Sequence, residues 1–135
     1  MWLWSFGFKT VSQGNGDIHR YRLQLVVTNT GMERLTDYWI ELQFPKLALA
    51  GGPTMGGFIK FRDTATHVFL RADRQVVGSD LYPGDPVDVM PIDYFMDHDL
   101  HHDGRVLALP VIAVFGAPDM STRRVEKPFR ELQEF

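Results

Sequence analysis

Two short runs of alternating apolar residues, separated by a turn-rich segment, constrain the fold of this chain most strongly. The runs span 21–27 and 38–44, and the segment 28–31 (Thr-Asn-Thr-Gly) follows the first. Their apolar positions are Tyr21, Leu23, Leu25 and Val27, then Tyr38, Ile40, Leu42 and Phe44. Successive side chains of a β-strand point to opposite faces. Both runs therefore predict strands with one face in a core and the other in water.

The same alternation of strands and turns continues along the chain. Further strands are predicted at about 2–8, 58–62, 66–71, 87–96 and 105–115, because turn residues separate these runs. Proline lacks the N–H that a central strand uses, so the last two of these strands are predicted to be edges or to contain bulges. Only the tail predicts a helix, at about 128–134, with Pro128 in its first position and Phe129, Leu132 and Phe135 on one face.

Composition narrows the class of protein. A chain of 135 residues with 44% hydrophobic and 23% charged residues fits a single domain, 1–135. No apolar run approaches the roughly 18 residues of a membrane span, and a net charge of −3 argues against non-specific nucleic-acid binding. The absence of cysteine excludes disulfides, thiolate zinc sites and a cysteine nucleophile. Since no basic leader precedes the first strand, we expect a cytoplasmic protein or a domain of a longer one.

These features together predict an all-β fold. Roughly seven to eight short strands, with turn signals every 8–12 residues or so and almost no helix, are typical of an antiparallel β-sandwich. The segments 26–31 (Val-Val-Thr-Asn-Thr-Gly), 38–42 (Tyr-Trp-Ile-Glu-Leu) and 81–85 (Leu-Tyr-Pro-Gly-Asp) resemble bacterial immunoglobulin-like accessory domains. In those domains an N-x-G hairpin follows one strand and a P-G turn precedes a later one. The resemblance covers about 18–116 and implies an immunoglobulin-like sandwich with a binding, spacer or assembly role and no catalytic residues.

The densest group of candidate metal ligands lies in an acidic segment. Residues 75–104 include seven aspartates and no lysine or arginine. The candidate ligands are Asp97, His98, Asp99, His101, His102 and Asp103, which are residue types that zinc, manganese and iron accept. An EF-hand is excluded because Pro110 stands where its final glutamate is needed. The sequence favours a hydrated acidic turn over a metal site, so we expect no cofactor.

Two further features are candidates for binding. Trp39 is out of phase with the apolar positions around it, so it is predicted either to be partly buried by a neighbouring loop or to face solvent. In the second case it forms a candidate binding surface together with Asp99, His101 and His102. The aromatic strand at 2–8 carries Trp2, Trp4, Phe6 and Phe8 on alternate positions. Its rings predict either part of the core or a stacking platform for sugars.

The usual catalytic patterns are missing from the sequence. It has no G-x-S-x-G elbow, P-loop or G-x-G-x-x-G fingerprint, so no catalytic residue is assigned. We expect a non-catalytic protein-interaction or accessory module that binds a protein partner or an adjacent domain, and neither nucleic acid nor membrane. A homodimer through the edge strands or the helix face at 129, 132 and 135 is a second kind of partner. The alternatives are a carbohydrate-binding module and a metal-dependent enzyme using 97–103.

Overall fold

A computed structural model of the chain describes residues 5–15, 18–49, 53, 57–89, 92–97, 99, 103–118 and 121–132. This part contains the strands β1 (Ser5–Asn15), β2 (Ile18–Thr28), β3 (Trp39–Pro45), β4 (Ile59–Asp63), β5 (His67–Asp73), β6 (Pro86–Asp88), β7 (Ile92–Asp97), β8 (Pro110–Gly116) and β9 (Arg123–Pro128). Its helical elements are a 3-10 turn at Lys46–Ala48 and the single-turn helices α1 (Arg74–Val77), α2 (Gly104–Leu107) and α3 (Phe129–Leu132). The all-β prediction with a short C-terminal helix is confirmed.

The strands form two antiparallel sheets. In the first sheet β2 pairs with β1 on one side and with both β6 and β7 on the other. The second sheet has the order β4-β5-β3-β8-β9. The chain changes sheet between β2 and β3, between β5 and β6, and between β7 and β8. Segments far apart in sequence therefore become neighbours in each sheet.

The apolar faces of the two sheets share one core. All eight alternating positions of the runs 21–27 and 38–44 are buried, as predicted. The Phe44 ring of the second sheet lies 5.9 Å from the Tyr94 ring of the first, measured between centroids. Tyr94 in turn stacks on Tyr21 at 5.2 Å. Such rings remove large apolar areas from water, so these contacts stabilise the packing of one sheet on the other.

The two turn motifs of the sequence meet at a buried junction. The Asn29 side chain is fully buried, and its Nδ2 donates to the carbonyl oxygens of Glu33 at 2.6 Å and Leu81 at 2.9 Å. Its Oδ1 accepts from the N–H of Gly31 at 2.9 Å. The backbone carbonyl of Asn29 accepts from the N–H of Gly84 at 2.8 Å. Gly84 has a φ of 82°, which glycine adopts without strain. The N-x-G and P-G turns thus form one structural unit.

The prediction for the apolar run 105–115 was wrong in two respects. Its first residues form α2, and the strand β8 begins only at Pro110. This strand lies between β3 and β9 in the interior of its sheet rather than at an edge. Proline is tolerated there because it occupies the first strand position. The strand predicted at 87–96 is described as β6 and β7, and both do lie on an edge of the first sheet.

The C-terminal segment also differs from the prediction. The described residues contain nine strands rather than seven to eight, since β9 was missed and the strand predicted at 87–96 is described as two strands. Pro128 ends β9 instead of beginning a helix, and α3 spans only Phe129–Leu132. Phe129 and Leu132 are buried in the core, so they are not available to a second copy of the chain. Phe135 and its two preceding residues lie outside the described residues.

The aromatic strand pairs with β2. Phe6 lies opposite Val27 and Phe8 opposite Leu25, and both partner positions are buried. Trp2 and Trp4 lie outside the described residues. Of the helices that the structure describes, none combines the length and the apolar composition needed to cross a membrane.

Candidate functional site

The face of the second sheet that points away from the core carries a row of contacting aromatic and arginine side chains. We call this row the aromatic-arginine ladder and define it as Trp39, Phe61, Arg62, Phe69 and Arg71. Trp39 begins β3, Phe69 and Arg71 lie on β5, and the other two lie on β4. On β3 and β5 these positions alternate with buried ones, so strand geometry directs them outward.

Cation–π contacts link the ladder across three strands. The guanidinium carbon of Arg71 lies 4.6 Å from the Trp39 ring centroid and 4.5 Å from that of Phe61. Phe61 meets Phe69 edge to face at 6.0 Å, and the Arg62 guanidinium lies 5.1 Å from the Phe69 centroid. Contacts of this kind contribute about 0.5–1 kcal/mol each at exposed sites. Together they hold the side chains in a defined arrangement before any partner binds.

A β-bulge brings Phe61 into the ladder. The pairing of β4 with β5 shifts register between Lys60 and Arg62, so Phe61 is the additional residue on β4. A bulge redirects the side chain at its position and bends the strand. This feature depends on pairing between strands, and no local pattern in the sequence predicted it.

Trp39 is half-buried rather than fully exposed to solvent. It pairs in register with Gly116 of β8, and its indole ring covers that glycine. A Cβ atom at Gly116 would overlap the ring. Arg71 covers the ring on the β5 side. Trp39 therefore lies on the outer face and is partly buried, and the groups that cover it belong to neighbouring strands rather than to a loop.

Gly116→Ala should displace the Trp39 ring. We expect the substitution to lower the free energy of unfolding by about 1–3 kcal/mol, because an added methyl in a filled site forces neighbouring groups to move. In a Trp39→Ala background the same substitution should have a much smaller effect. Urea denaturation of the four proteins in this double-mutant cycle measures the coupling. Equal losses in both backgrounds would contradict the contact.

The exposed side chain of Ile59 extends the ladder on β4 beyond Phe61. Ile59 is 65% exposed and Phe61 is 42% exposed. At the other side of Phe69, the His67 ring lies 6.2 Å away, measured between ring centroids. His67 also lines an open cavity of about 600 Å³, together with Pro45, Lys46, Leu47, Ala65, Thr66 and Leu109. The ladder therefore continues into an apolar depression that could receive a partner side chain.

The candidate metal segment is only partly described. Asp97 and Asp99 are exposed, while His98, His101 and His102 lie outside the described residues. Asp103 has a structural role, because its Oδ1 accepts from the N–H of Arg105 at 2.9 Å and caps α2. Within the described ranges, no three histidine, aspartate or glutamate side chains are grouped closely enough to hold a metal ion.

Two other aspartates of the acidic segment pair with arginines. Asp93 is almost buried, and its Oδ1 accepts from Nε of Arg22 at 3.0 Å. Asp80 accepts from Nε of Arg74 at 2.6 Å and lies 3.8 Å from Nε of Arg34. The hydrogen bond that Arg74 donates to Asp80 raises the pKa of the Arg74 guanidinium. These two carboxylates balance the positive charge of neighbouring arginines.

Tyr38 lies close to Arg74 and Asp80, and its raised pKa makes the stability of the fold depend on pH. Burial raises the pKa of Tyr38 to about 12, and its hydroxyl donates to the Ser79 carbonyl at 2.7 Å. An unfolded tyrosine ionises near pH 10 or so. The contribution of Tyr38 to stability is therefore complete below that pH and is lost as pH rises through its folded pKa.

Between about pH 9 and pH 12, we expect the wild type to lose about 1–2 kcal/mol more stability than Tyr38→Phe. Urea denaturation across this range measures the difference. Parallel pH profiles for the two proteins would show that Tyr38 ionises alike in the folded and unfolded states.

The chain was also compared with known proteins. No protein-family model matches the sequence, and no curated protein is significantly similar to it.

Proposed function

We propose that this chain is a non-catalytic protein-interaction module that binds a protein partner through the aromatic-arginine ladder. One observation carries the proposal: Arg71 is held between the rings of Trp39 and Phe61 on an outward face, beside the exposed Ile59. Aromatic residues and arginine are enriched at the positions that contribute most to protein–protein affinity. Side chains that are already ordered lose less entropy on binding.

The cation contacts favour a protein partner over a sugar at this surface. A sugar ring stacks on a free aromatic face. Arg71 covers Trp39 and Phe61, and Arg62 covers Phe69. A sugar would have to displace these guanidinium groups, whereas a protein can contact the exposed ring edges and the arginines together.

The order of the strands supports an immunoglobulin-like sandwich as the scaffold of this module. In that fold the second strand pairs with the fifth in one sheet, and the third pairs with the sixth in the other. Here β2 pairs with β6 and β7, and β3 pairs with β8, which also pairs with β9. The β4-β5 hairpin extends the second sheet, but β5 rather than β4 lies next to β3. That order departs from the variable-type sandwich, in which the strand after the third pairs with it.

Site-directed photo-cross-linking tests the proposal. A cross-linking amino acid replaces Ile59 beside the ladder or, as a control, the half-exposed Tyr82 in the P-G turn. In cells that make the chain, we expect a discrete adduct from position 59 that disappears when Arg71→Ala is added. The same adduct from both positions, or an adduct at 59 that persists in Arg71→Ala with the fold intact, would overturn the proposal.

A further inference from the structure

We propose that the segment recognised beside the ladder is an extended acidic one, in which carboxylates alternate with apolar side chains, and that it lies along β4. This inference rests on the proposed function and specifies the chemistry of the partner. It follows from three features of β4: its place in the sheet, the charge around it, and the identity of its side chains.

β4 is an edge strand with accessible side chains. It pairs with β5 on one side, and no other described strand pairs with it. All five of its residues are exposed. Its sequence from Ile59 to Arg62 alternates apolar and cationic residues (Ile-Lys-Phe-Arg). Because the bulge places Phe61 and Arg62 on the same outward face as Ile59, an extended segment beside this edge meets two apolar side chains and one cation there.

Positive charge predominates around β4. The cationic side chains here are Lys46, Lys60, Arg62 and Arg71, and the carboxylates that contact them are Asp63 and Glu41. Asp63 is shared by the two lysines, and Glu41, whose side chain is only 13% exposed, lies 3.5 Å from Arg71. Four cations against these two carboxylates and the exposed Asp73, which lies next to Arg71 on the outer face of β5, leave an excess of one positive charge, in a chain whose net charge is −3.

Arg62 is the cationic side chain of β4 that can pair with a carboxylate of a partner. It stacks on the Phe69 ring, and within the described part of the chain it pairs with no carboxylate. The next outward residue of β5 beyond Arg71 is Asp73, whose Oδ1 instead accepts from the N–H of Val76 and caps α1. A carboxylate of a partner can therefore pair with Arg62 while apolar side chains contact Ile59 and Phe61.

The same charges argue against a second copy of the chain at this edge. Pairing of β4 with another β4 would place Lys60 and Arg62 beside the same residues of the copy. Like charges on neighbouring strands are unfavourable, and lysine and arginine on edge strands oppose such pairing. An acidic segment would instead place carboxylates beside Lys60 and Arg62. This edge strand should therefore bind an acidic segment in preference to a second copy of the chain.

Fluorescence anisotropy with labelled synthetic peptides tests this inference on the full chain. One peptide alternates Glu with Val, a second alternates Lys with Val, and a third has the composition of the first with its Glu and Val in separate blocks. We expect the alternating acidic peptide to bind at least about tenfold more tightly than either other peptide, and more weakly at high salt.

Two charge reversals locate the site. Arg62→Glu should weaken binding of the alternating acidic peptide at least about tenfold. Arg105→Glu, at a highly exposed side chain of α2, changes the net charge equally and should change binding less than about twofold. Equal effects of the two reversals, equal binding of the acidic and basic peptides, or no binding of the acidic peptide would each overturn the inference.

The outcome is separable from that of the proposed function. If position 59 cross-links to a protein segment without carboxylates, the module binds a partner and the acidic chemistry is wrong. If the acidic peptide binds but no Arg71-dependent adduct forms at position 59, the proposed function is wrong. The inference that β4 binds acidic segments is then still supported.

Discussion

Asn29→Asp is expected to lower the free energy of unfolding by about 3 kcal/mol or more at neutral pH. The amide Nδ2 of Asn29 donates to two backbone carbonyls, of Glu33 and Leu81, in a fully buried position. A carboxylate there would face both carbonyl oxygens without a proton to donate. The substitution would remove the side-chain hydrogen bond to Leu81 beside the P-G turn and leave only the backbone bond from the Gly84 N–H to the Asn29 carbonyl.

Comparison of Asn29→Asp with Asn29→Ala separates the effect of the added charge from that of the lost hydrogen bonds. We expect the alanine variant to lose about 2 kcal/mol, because it leaves the buried carbonyl of Leu81 without its side-chain donor. The aspartate should lose more at neutral pH and recover part of that loss in acid, where its carboxyl is protonated and can donate. Urea denaturation at both pH values measures this. Losses below about 0.5 kcal/mol for both variants would show that the junction does not stabilise the fold.

Phe44→Ala is expected to cost about 3–5 kcal/mol, the range for removing a large ring from a packed core. The Phe44 side chain is fully buried and contacts Tyr94 across the two sheets. Phe61→Ala is the matched control, since it removes the same atoms from the outer face. We expect it to cost less than about 1 kcal/mol, because Phe61 is 42% exposed.

Urea denaturation curves of the two phenylalanine variants test which side of the second sheet faces the core. The predicted result is a large shift of the midpoint for Phe44→Ala and a small one for Phe61→Ala. A larger loss of stability from Phe61→Ala would mean that the ladder, rather than the face carrying Phe44, packs in the interior.

The sequence predicted the strands whose two faces differ in polarity. β2 and β3 alternate between buried positions and half-buried or exposed ones, so their inner faces were identified in advance. β9 was missed because arginine and lysine occupy half-buried positions in it. The long alkyl stems of these residues cover apolar surface while their charges stay in water, which hides the alternation.

The candidate site was predicted only at one residue. Trp39 was identified because it is out of phase with its apolar neighbours. Its partners Arg71 and Phe61 could not be identified, because they depend on the order β4-β5-β3 and on a bulge, both of which arise from pairing between distant segments. The acidic segment was a candidate binding or metal site because of its composition. In the structure, Asp80 and Asp93 pair with arginines and Asp103 caps a helix.

The affinity of the partner cross-linked at position 59 tests the central claim most directly. Isothermal titration calorimetry compares the wild-type chain with Trp39→Ala and with Tyr82→Ala, an exposed aromatic away from the ladder. We predict that Trp39→Ala weakens binding at least about tenfold, as expected for a central aromatic contact, and that Tyr82→Ala changes it less than about twofold. Unchanged affinity in a folded Trp39→Ala variant, or an equal loss in Tyr82→Ala, would contradict the assignment of the ladder as the binding surface.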